Sequence, residues 1–130
     1  MTNSGAPRAI VAGHGSFPQG IVSAVEQITG FGNVFIPLSN SDLSGEGIED
    51  RIRDRATEFG IKVFFTDLPA GSATIAVRRM MRDTTGIILV TGANLATLLE
   101  FVFREEESPG DAARHAVEKG KIALAAQGDG

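Results

Sequence analysis

The chain has 130 residues, which fits one domain, and it contains no apolar run of about 20 residues that would cross a membrane. Its apolar fraction of 42% and charged fraction of 22% are those of an ordinary soluble globule. A net charge of −4 with scattered lysines and arginines argues against a nucleic-acid partner, and the lack of cysteine excludes disulfides and thiol chemistry. With no secretory signal visible, we expect a cytoplasmic protein with a flexible N-terminus (1–8), a single domain (9–126) and a flexible tail (127–130).

Strands and helices are predicted to alternate along the whole chain. Short apolar runs bounded by glycine or polar residues predict five strands, at 9–13, 33–38, 61–68, 86–92 and 121–126. Apolar residues at helical spacing between these runs predict five helices, at 17–30, 48–59, 71–82, 94–104 and 108–120. This alternation with short loops implies a doubly wound α/β fold, with a mainly parallel sheet, right-handed crossovers and helices on both faces.

Residues suited to helix ends mark the boundaries of several predicted helices. Serine or asparagine is expected to cap three of them, at Ser16, Asn94 and Ser108. Glycine is expected to stop three of them, at Gly30, Gly60 and Gly120. The stop at Gly120 sets the predicted start of the last short strand.

Polar residues follow three of the predicted strands. They are His14 with Ser16, Thr66 with Asp67, and Thr91 with Asn94. In doubly wound sheets, ligands bind beyond the carboxyl ends of the strands, where the strand order reverses. If the strands lie in the order 2-1-3-4, His14 and Asp67 face each other across that point.

His14 has the surroundings of a reactive histidine, because the glycines on either side remove bulk and leave the ring reachable by a partner. A carboxylate at Asp67 would fix the tautomer of the ring and stabilise the cation that forms. Gly71 and Ser72, at the start of a predicted helix, would offer free N–H groups and the positive helix end to a phosphate. These features predict phosphoryl transfer to the His14 ring, with no metal or organic cofactor.

Plainer structural roles compete with this interpretation. His14 could simply be a solvated loop residue, Asp67 could cap a turn, and capping is the default role of Asn94. His115 has no acidic partner apparent near it and is interpreted as a surface residue. Three arginines of the third predicted helix are interpreted as a solvated face, with docking of an acidic or phosphorylated partner as the alternative: Arg78, Arg79 and Arg82.

Three stretches, taken in order along the chain, are IVAGHGSFPQGIVSAVEQITG, VFFTDLPAGSATIAV and ILVTGANLATLLEFVF. They resemble the signatures of the enzyme IIA domain of the mannose-type phosphoenolpyruvate-dependent sugar phosphotransferase system, and the resemblance extends over 9–126. It implies a flavodoxin-like fold in a cytoplasmic homodimer that exchanges a C-terminal strand, here KIALAA (121–126). It also implies that the carrier HPr phosphorylates the domain, that a IIB component receives the group, and that the membrane is reached only through the permease.

The resemblance makes His14 the phosphorylated histidine, Asp67 the carboxylate that orients it, and Ser72 with Gly71 the phosphate contact. Three residues are candidates for a rim that partner proteins contact: Phe17, Pro18 and Asn94. The chain departs from the family pattern at Ala70, where the family has glycine, and it lacks the proline that follows the family's serine. These departures put the geometry of the phosphate loop, and not the histidine–aspartate pair, in question.

Other functions stay open at this point. A regulatory phosphocarrier of the same fold would not be coupled to transport. A receiver-like signalling domain would be phosphorylated on Asp67, but it needs an acidic cluster after the first strand, where this chain has GHGS. A serine hydrolase would use Ser16 or Ser72, but no G-x-S-x-G motif is present. A zinc site is disfavoured because the chain has only two histidines, which are far apart in sequence.

Overall fold

The structure is a computed structural model that describes residues 5–130, so the first four positions of the predicted flexible N-terminus (1–8) lie outside the described residues. Its sheet has four parallel strands: β1 (Ala9–Gly13), β2 (Phe35–Ser39), β3 (Val63–Thr66) and β4 (Ile88–Val90). Five α-helices connect and follow them: α1 (Phe17–Thr29), α2 (Gly45–Phe59), α3 (Ser72–Met80), α4 (Leu95–Phe103) and α5 (Pro109–Ala123). The strand order is β2-β1-β3-β4, which confirms the doubly wound α/β fold and the order in which β1 and β3 are neighbours.

Helices cover both faces of the sheet. Successive side chains of a strand point to opposite faces, and β1 shows this directly. Ile10 packs with the buried faces of α2 and α3, whereas Val11 packs with α1, α4 and α5. All five residues of β1 are buried, as are the four of β3, because these central strands have helices on both sides. The two cores fix the positions of the loops at the carboxyl ends of β1 and β3.

Three strands are shorter than their apolar runs predict. A 3-10 helix (Gly32–Val34) replaces the start of the second predicted strand. Before β3, the N–H of Ile61 bonds to the carbonyl of Ala56 in the last turn of α2, so this apolar residue completes a helix end instead of a sheet ladder. Apolar character alone does not separate a strand residue from a buried residue of the adjoining turn.

The end of the chain differs from its prediction. Gly120 was expected to stop the last helix, yet α5 continues to Ala123, and residues 124–130 form neither helix nor strand. Gly120 lies against α4, where a Cβ would collide with the hydroxyl of Thr97, and its carbonyl accepts a 2.9 Å hydrogen bond from Nδ2 of Asn94. The glycine therefore allows two helices to approach closely and does not end one.

The predicted helix caps are confirmed at two of three sites. Asn94 accepts from the N–H of Thr97, and Ser108 accepts from the N–H of Asp111. Ser16 is wrong as a side-chain cap, because its hydroxyl makes no bond to the first turn of α1. No helix within residues 5–130 is long and apolar enough to cross a bilayer.

Candidate active site

The candidate site lies at the carboxyl ends of β1, β2 and β3. Ala12 of β1 lies opposite Thr66 of β3 in the register of the sheet, so the residues that follow the two strands come together. His14 begins the loop after β1, and Asp67 begins the loop after β3. The structure thus brings together the two residues that the sequence analysis paired.

A single carboxylate oxygen holds both the backbone and the ring of His14. Oδ2 of Asp67 accepts from the backbone N–H of His14 at 2.8 Å and lies 2.8 Å from Nδ1 of the ring. Since an ionised carboxylate only accepts, Nδ1 carries the proton and Nε2 carries the lone pair. The His14 side chain is 54% exposed and that of Asp67 is 13% exposed, so a well-covered acid presents an accessible ring.

The two glycines beside His14 have different roles. A Cβ on Gly13 would lie 2.6 Å from Cγ and Oδ2 of Asp67, so the missing side chain makes room for that carboxylate. Gly15 has open space around it and a φ of +54°, which serves the turn into α1. The interpretation that both glycines give a partner access to the ring is therefore wrong for Gly13, because the carboxylate of Asp67 occupies the space beside it.

The start of α3 lies beside the ring of His14. Gly71 precedes the helix with a φ of +116°, and a Cβ on it would lie 3.1 Å from Cε1 of His14. Ser72, the first residue of α3, accepts a 2.8 Å hydrogen bond at Oγ from Nδ2 of Asn40. The first N–H groups of a helix have no partners within it, so this end of α3 suits an anion next to the ring.

Two buried threonines support the loop that carries Asp67. The hydroxyl of Thr74, in α3, donates to the carbonyl of Leu68 at 2.6 Å and lies 2.7 Å from the hydroxyl of Thr66. Both threonine side chains are buried. Thr66 and Leu68 are the residues before and after Asp67, and both contact Thr74 in the first turn of α3. These contacts fix the distance between the carboxylate and the start of the helix.

The predicted partner rim is only partly available. Pro18 is buried, which removes it from the predicted rim. The side chain of Asn94 caps α4, which is the structural role expected from the sequence, and it also donates to the carbonyl of Gly120. Phe17 is half-buried against the core. The exposed apolar side chains on the loop and helix next to Asp67 are instead Leu68 and Ile75, at 51% and 45% exposure, which sequence periodicity did not single out.

His115 and Arg79 have acidic partners within the described residues. Nδ1 of His115 lies 2.6 Å from Oε1 of Glu107, so the expectation that this histidine lacks an acidic neighbour is wrong, although its side chain is exposed. Arg79 lies 3.6 Å from Glu49 of α2. Among residues 5–130, no three histidine, aspartate or glutamate side chains cluster as a metal site would need.

These features define a small doubly wound domain with an accessible histidine, oriented by a carboxylate, beside a helix N-terminus. The sequence profile of a family described as "EIIA-man: PTS system fructose IIA component" matches residues 8–118. The chain belongs to this family, which confirms the resemblance seen in its sequence, and it is a IIA component of the sugar phosphotransferase system. No curated protein sequence matches the chain significantly.

Solved structures share the fold. The phosphotransferase system component EIIA from Streptococcus agalactiae superposes with a TM-score of 0.80 at 22% identity, covering 92% of this chain and 95% of that chain. The mannose/sorbose-specific IIA subunit from Enterococcus faecalis has a TM-score of 0.78 at 18% identity, with 95% and 96% covered. The IIA protein associated with the fucose utilization operon from Streptococcus pneumoniae has a TM-score of 0.76 at 18% identity, with 92% of each chain covered.

Proposed function

We propose that this domain is a phosphohistidine carrier that accepts a phosphoryl group from phospho-HPr and passes it to a IIB component during phosphoenolpyruvate-dependent sugar uptake. The observation that carries the proposal is the contact of Asp67 with Nδ1 of His14, which leaves Nε2 as the free nucleophile. The start of α3 at Gly71 and Ser72 lies on the side of the ring where the phosphoryl group would be held.

The transfer uses only groups that the site contains. The lone pair of Nε2 attacks the phosphorus atom, an N–P bond forms, and the bond to the donor breaks with its electron pair leaving on the donor. The ring of His14 becomes cationic, and the carboxylate of Asp67 stabilises that charge through Nδ1–H. The N-terminus of α3 and the hydroxyl of Ser72 stabilise the phosphoryl oxygens. Attack by an acceptor nucleophile reverses these steps and frees His14.

Both partners would use the same face in turn. His14 is exposed, and the loop and helix that follow Asp67 carry the exposed apolar side chains of Leu68 and Ile75, a surface that fits a protein better than a free sugar. HPr and the IIB component must each reach Nε2, so they bind in succession and not together. The domain would act in the cytoplasm and meet the membrane only through the permease complex.

We also propose a homodimer in which protomers exchange a C-terminal strand. Within residues 5–130, β4 pairs only with β3, so its outer edge is free. Beyond α5 the chain is exposed, with Leu124 at 84% exposure. An open strand edge and an exposed apolar end of chain are complementary, because the second can cover the first by adding a strand. The occupant of the β4 edge would be the 121–126 segment of a second copy, whose residues 121–123 would leave the last turn of α5 on exchange.

Replacing the histidine tests the function. His14→Ala removes the nucleophile, so we expect no labelling by phosphoenolpyruvate, enzyme I and HPr. His115→Ala is the matched control and should be labelled as the wild type is, because its ring lies against Glu107 and not at the site. Labelling of the His14→Ala protein contradicts the proposal. A label lost in acid indicates phosphohistidine, whereas a label lost in hydroxylamine indicates a receiver-like aspartyl phosphate on Asp67.

The same assay separates transport from regulation. If labelled protein transfers its phosphoryl group to a purified IIB component, it is a transport carrier. If the wild type is labelled at His14 but does not pass the group on, the regulatory phosphocarrier is correct. Pro69 and Ala70, where the chain departs from the family pattern, lie between Asp67 and Gly71 of the candidate site.

A further inference from the structure

Asn40 connects two parts of the candidate site that are distant in sequence. It is the first residue after β2, and its backbone N–H donates to the carbonyl of Gly13 at 2.9 Å, next to His14. Its side chain reaches α3, where Nδ2 donates to Oγ of Ser72 at 2.8 Å across 32 residues of sequence. Asn40 therefore joins the residue before the nucleophile to the first residue of the phosphate-binding helix.

The direction of the bond between Asn40 and Ser72 decides what the hydroxyl can do. A serine hydroxyl has one proton to donate and two lone pairs that accept. Because the amide of Asn40 donates to a lone pair of Ser72, the single proton of that hydroxyl is not used in this contact. The proton is left for an acceptor at the mouth of the site, and the oxygens of a phosphoryl group are strong acceptors.

We infer that Asn40 is a positioning residue for phosphoryl transfer, which orients the hydroxyl of Ser72 as a hydrogen-bond donor to the phosphoryl group on His14. This inference rests on the proposed function. It assigns to the β2–α2 loop a part in the site, so that three neighbouring strands contribute to it: β1 through His14, β3 through Asp67 and β2 through Asn40.

An isosteric replacement separates this role from a simple structural link. In Asn40→Asp the new carboxylate would accept from Ser72, so the contact between loop and helix is kept but the hydroxyl proton is turned away from the phosphoryl group. A structural link predicts wild-type transfer, whereas the inference predicts a loss of about tenfold or more, the usual effect of losing a hydrogen bond to a charged group. Ser41→Asp adds the same charge one residue further along the exposed loop and controls for it.

The experiment measures the rate of transfer from phospho-HPr and the equilibrium fraction of phosphorylated protein, with the midpoint of thermal unfolding recorded for each variant. Asn40→Ala, Ser72→Ala and the double variant complete a cycle. Because Asn40 acts through Ser72, we expect the double variant to lose no more than Ser72→Ala alone. The midpoint of Asn40→Asp should stay within a few degrees of the wild type.

Each other result overturns the inference. Wild-type rate and equilibrium in Asn40→Asp show that the bond is only a structural link. Equal losses in Asn40→Asp and Ser41→Asp show an effect of charge alone. If the double variant loses rate by the product of the two single-variant losses, Asn40 does not act through Ser72. If the wild-type protein itself is never labelled, the proposed function fails and this inference fails with it.

Discussion

At the scale of single residues, Asp67 performs two tasks with one oxygen atom. The bond from the His14 backbone fixes the loop, and the contact with Nδ1 fixes the ring, so the position of the nucleophile does not depend on the rotamer of His14 alone. The cost is a crowded carboxylate, and the chain accommodates it by having no side chain at Gly13. The contacts among Gly13, His14 and Asp67 therefore leave Nε2 as the ring nitrogen with the free lone pair.

Gly13→Ala should disable the site without unfolding the domain. The new Cβ would displace the carboxylate of Asp67, which is the movable end of a side chain, so we expect transfer to fall by about tenfold or more, and we expect the same of Asp67→Asn. The proton on the ring should shift from Nδ1 towards Nε2, which nitrogen-15 NMR of labelled histidine detects. Gly15→Ala is the control: it costs roughly 1–2 kcal/mol of stability because of its positive φ but leaves the Nδ1 tautomer unchanged. An unchanged tautomer in Gly13→Ala contradicts this account.

The sequence predicted the centre of the site but not its outer residues. His14 and Asp67 each come directly after an apolar strand, a position that the fold class alone makes significant. Asn40 lies in a polar loop, where asparagine is ordinary turn chemistry, and only the folded chain brings it to Ser72. Pro18 was misplaced because a proline in the first turn of a helix can face either the core or the solvent.

At the scale of secondary structure elements, α5 shows where sequence patterns mislead. A glycine near the end of an amphipathic helix ordinarily indicates its end. Gly120 instead meets Asn94 and Thr97 of α4, and the last turn of α5 continues past it. The role of Gly120 depends on a contact between two helices. The apolar periodicity of each helix does not show which residues of the other helix it meets.

Gly120→Ala should therefore destabilise the packing of α5 on α4. We expect the free energy of unfolding in urea to fall by about 1–3 kcal/mol, the usual cost of overpacking. Gly110→Ala in the first turn of the same helix is the matched control, since its Cβ would make only ordinary contacts, at 3.5 Å with Ile88 and 3.8 Å with Arg114. That variant should be unchanged or more stable by about 0.4–1 kcal/mol. Equal effects of the two substitutions would show that Gly120 is not a packing residue.

Glu107 connects elements beyond the C-terminal end of α4, the end opposite to the cap at Asn94. Its carboxylate accepts a 2.6 Å hydrogen bond from Arg104 and lies 2.6 Å from Nδ1 of His115 in α5. Its backbone carbonyl accepts a 2.9 Å hydrogen bond from the guanidinium of Arg8. Arg8, which lies in the segment predicted to be flexible, also places its guanidinium 5.1 Å from the ring centre of Phe101. This cluster joins the start of β1 to the loop between α4 and α5.

The stabilisation by Glu107 should depend on pH. The hydrogen bond from Arg104, followed by that from His115, holds the pKa of Glu107 below its ordinary value of 4.5. A lowered folded-state pKa stabilises the fold above the unfolded value, and the effect disappears as pH falls through the folded value. Glu107→Gln should therefore be less stable than the wild type in urea at pH 7, with the difference shrinking below pH 4.5. A difference that is the same at pH 3 and pH 7 contradicts the ion pair as its source.

At the scale of the whole molecule, the fold was predicted more completely than the assembly. The order β2-β1-β3-β4 follows from alternation of elements and the need to cover central apolar strands, both visible in the sequence. In the proposed dimer, the strand at 121–126 would pair only with a second copy, whereas in the single chain residues 121–123 are helical. The first half of that segment, residues 121–123, continues α5 with its side chains exposed, Ile122 at 75%.

Shortening the chain tests the proposed dimer. Deleting residues 124–130 removes the second half of the exchanged segment (121–126), so the mass measured by light scattering should fall from dimer to monomer. Deleting only 127–130 leaves the segment intact and should keep the dimer. A monomeric wild-type protein, or a dimer that survives the longer deletion, shows that the C-terminal segment does not join the copies. Both deletions leave the contacts of His14 untouched.

The position of β1 in the sheet has a consequence for how the chain folds during synthesis. β1 is the first strand made, yet it is central: Ala9 pairs with Phe35 on one side and with Val63 on the other. Until β3 has been synthesised, β1 has one open edge and no carboxylate for His14, which waits for a residue 53 positions later. Contacts of such sequence separation form late in folding. If His14 is the phosphorylated residue, as proposed, its labelling on a nascent chain would report that β3 has joined β1 and brought Asp67 to the ring.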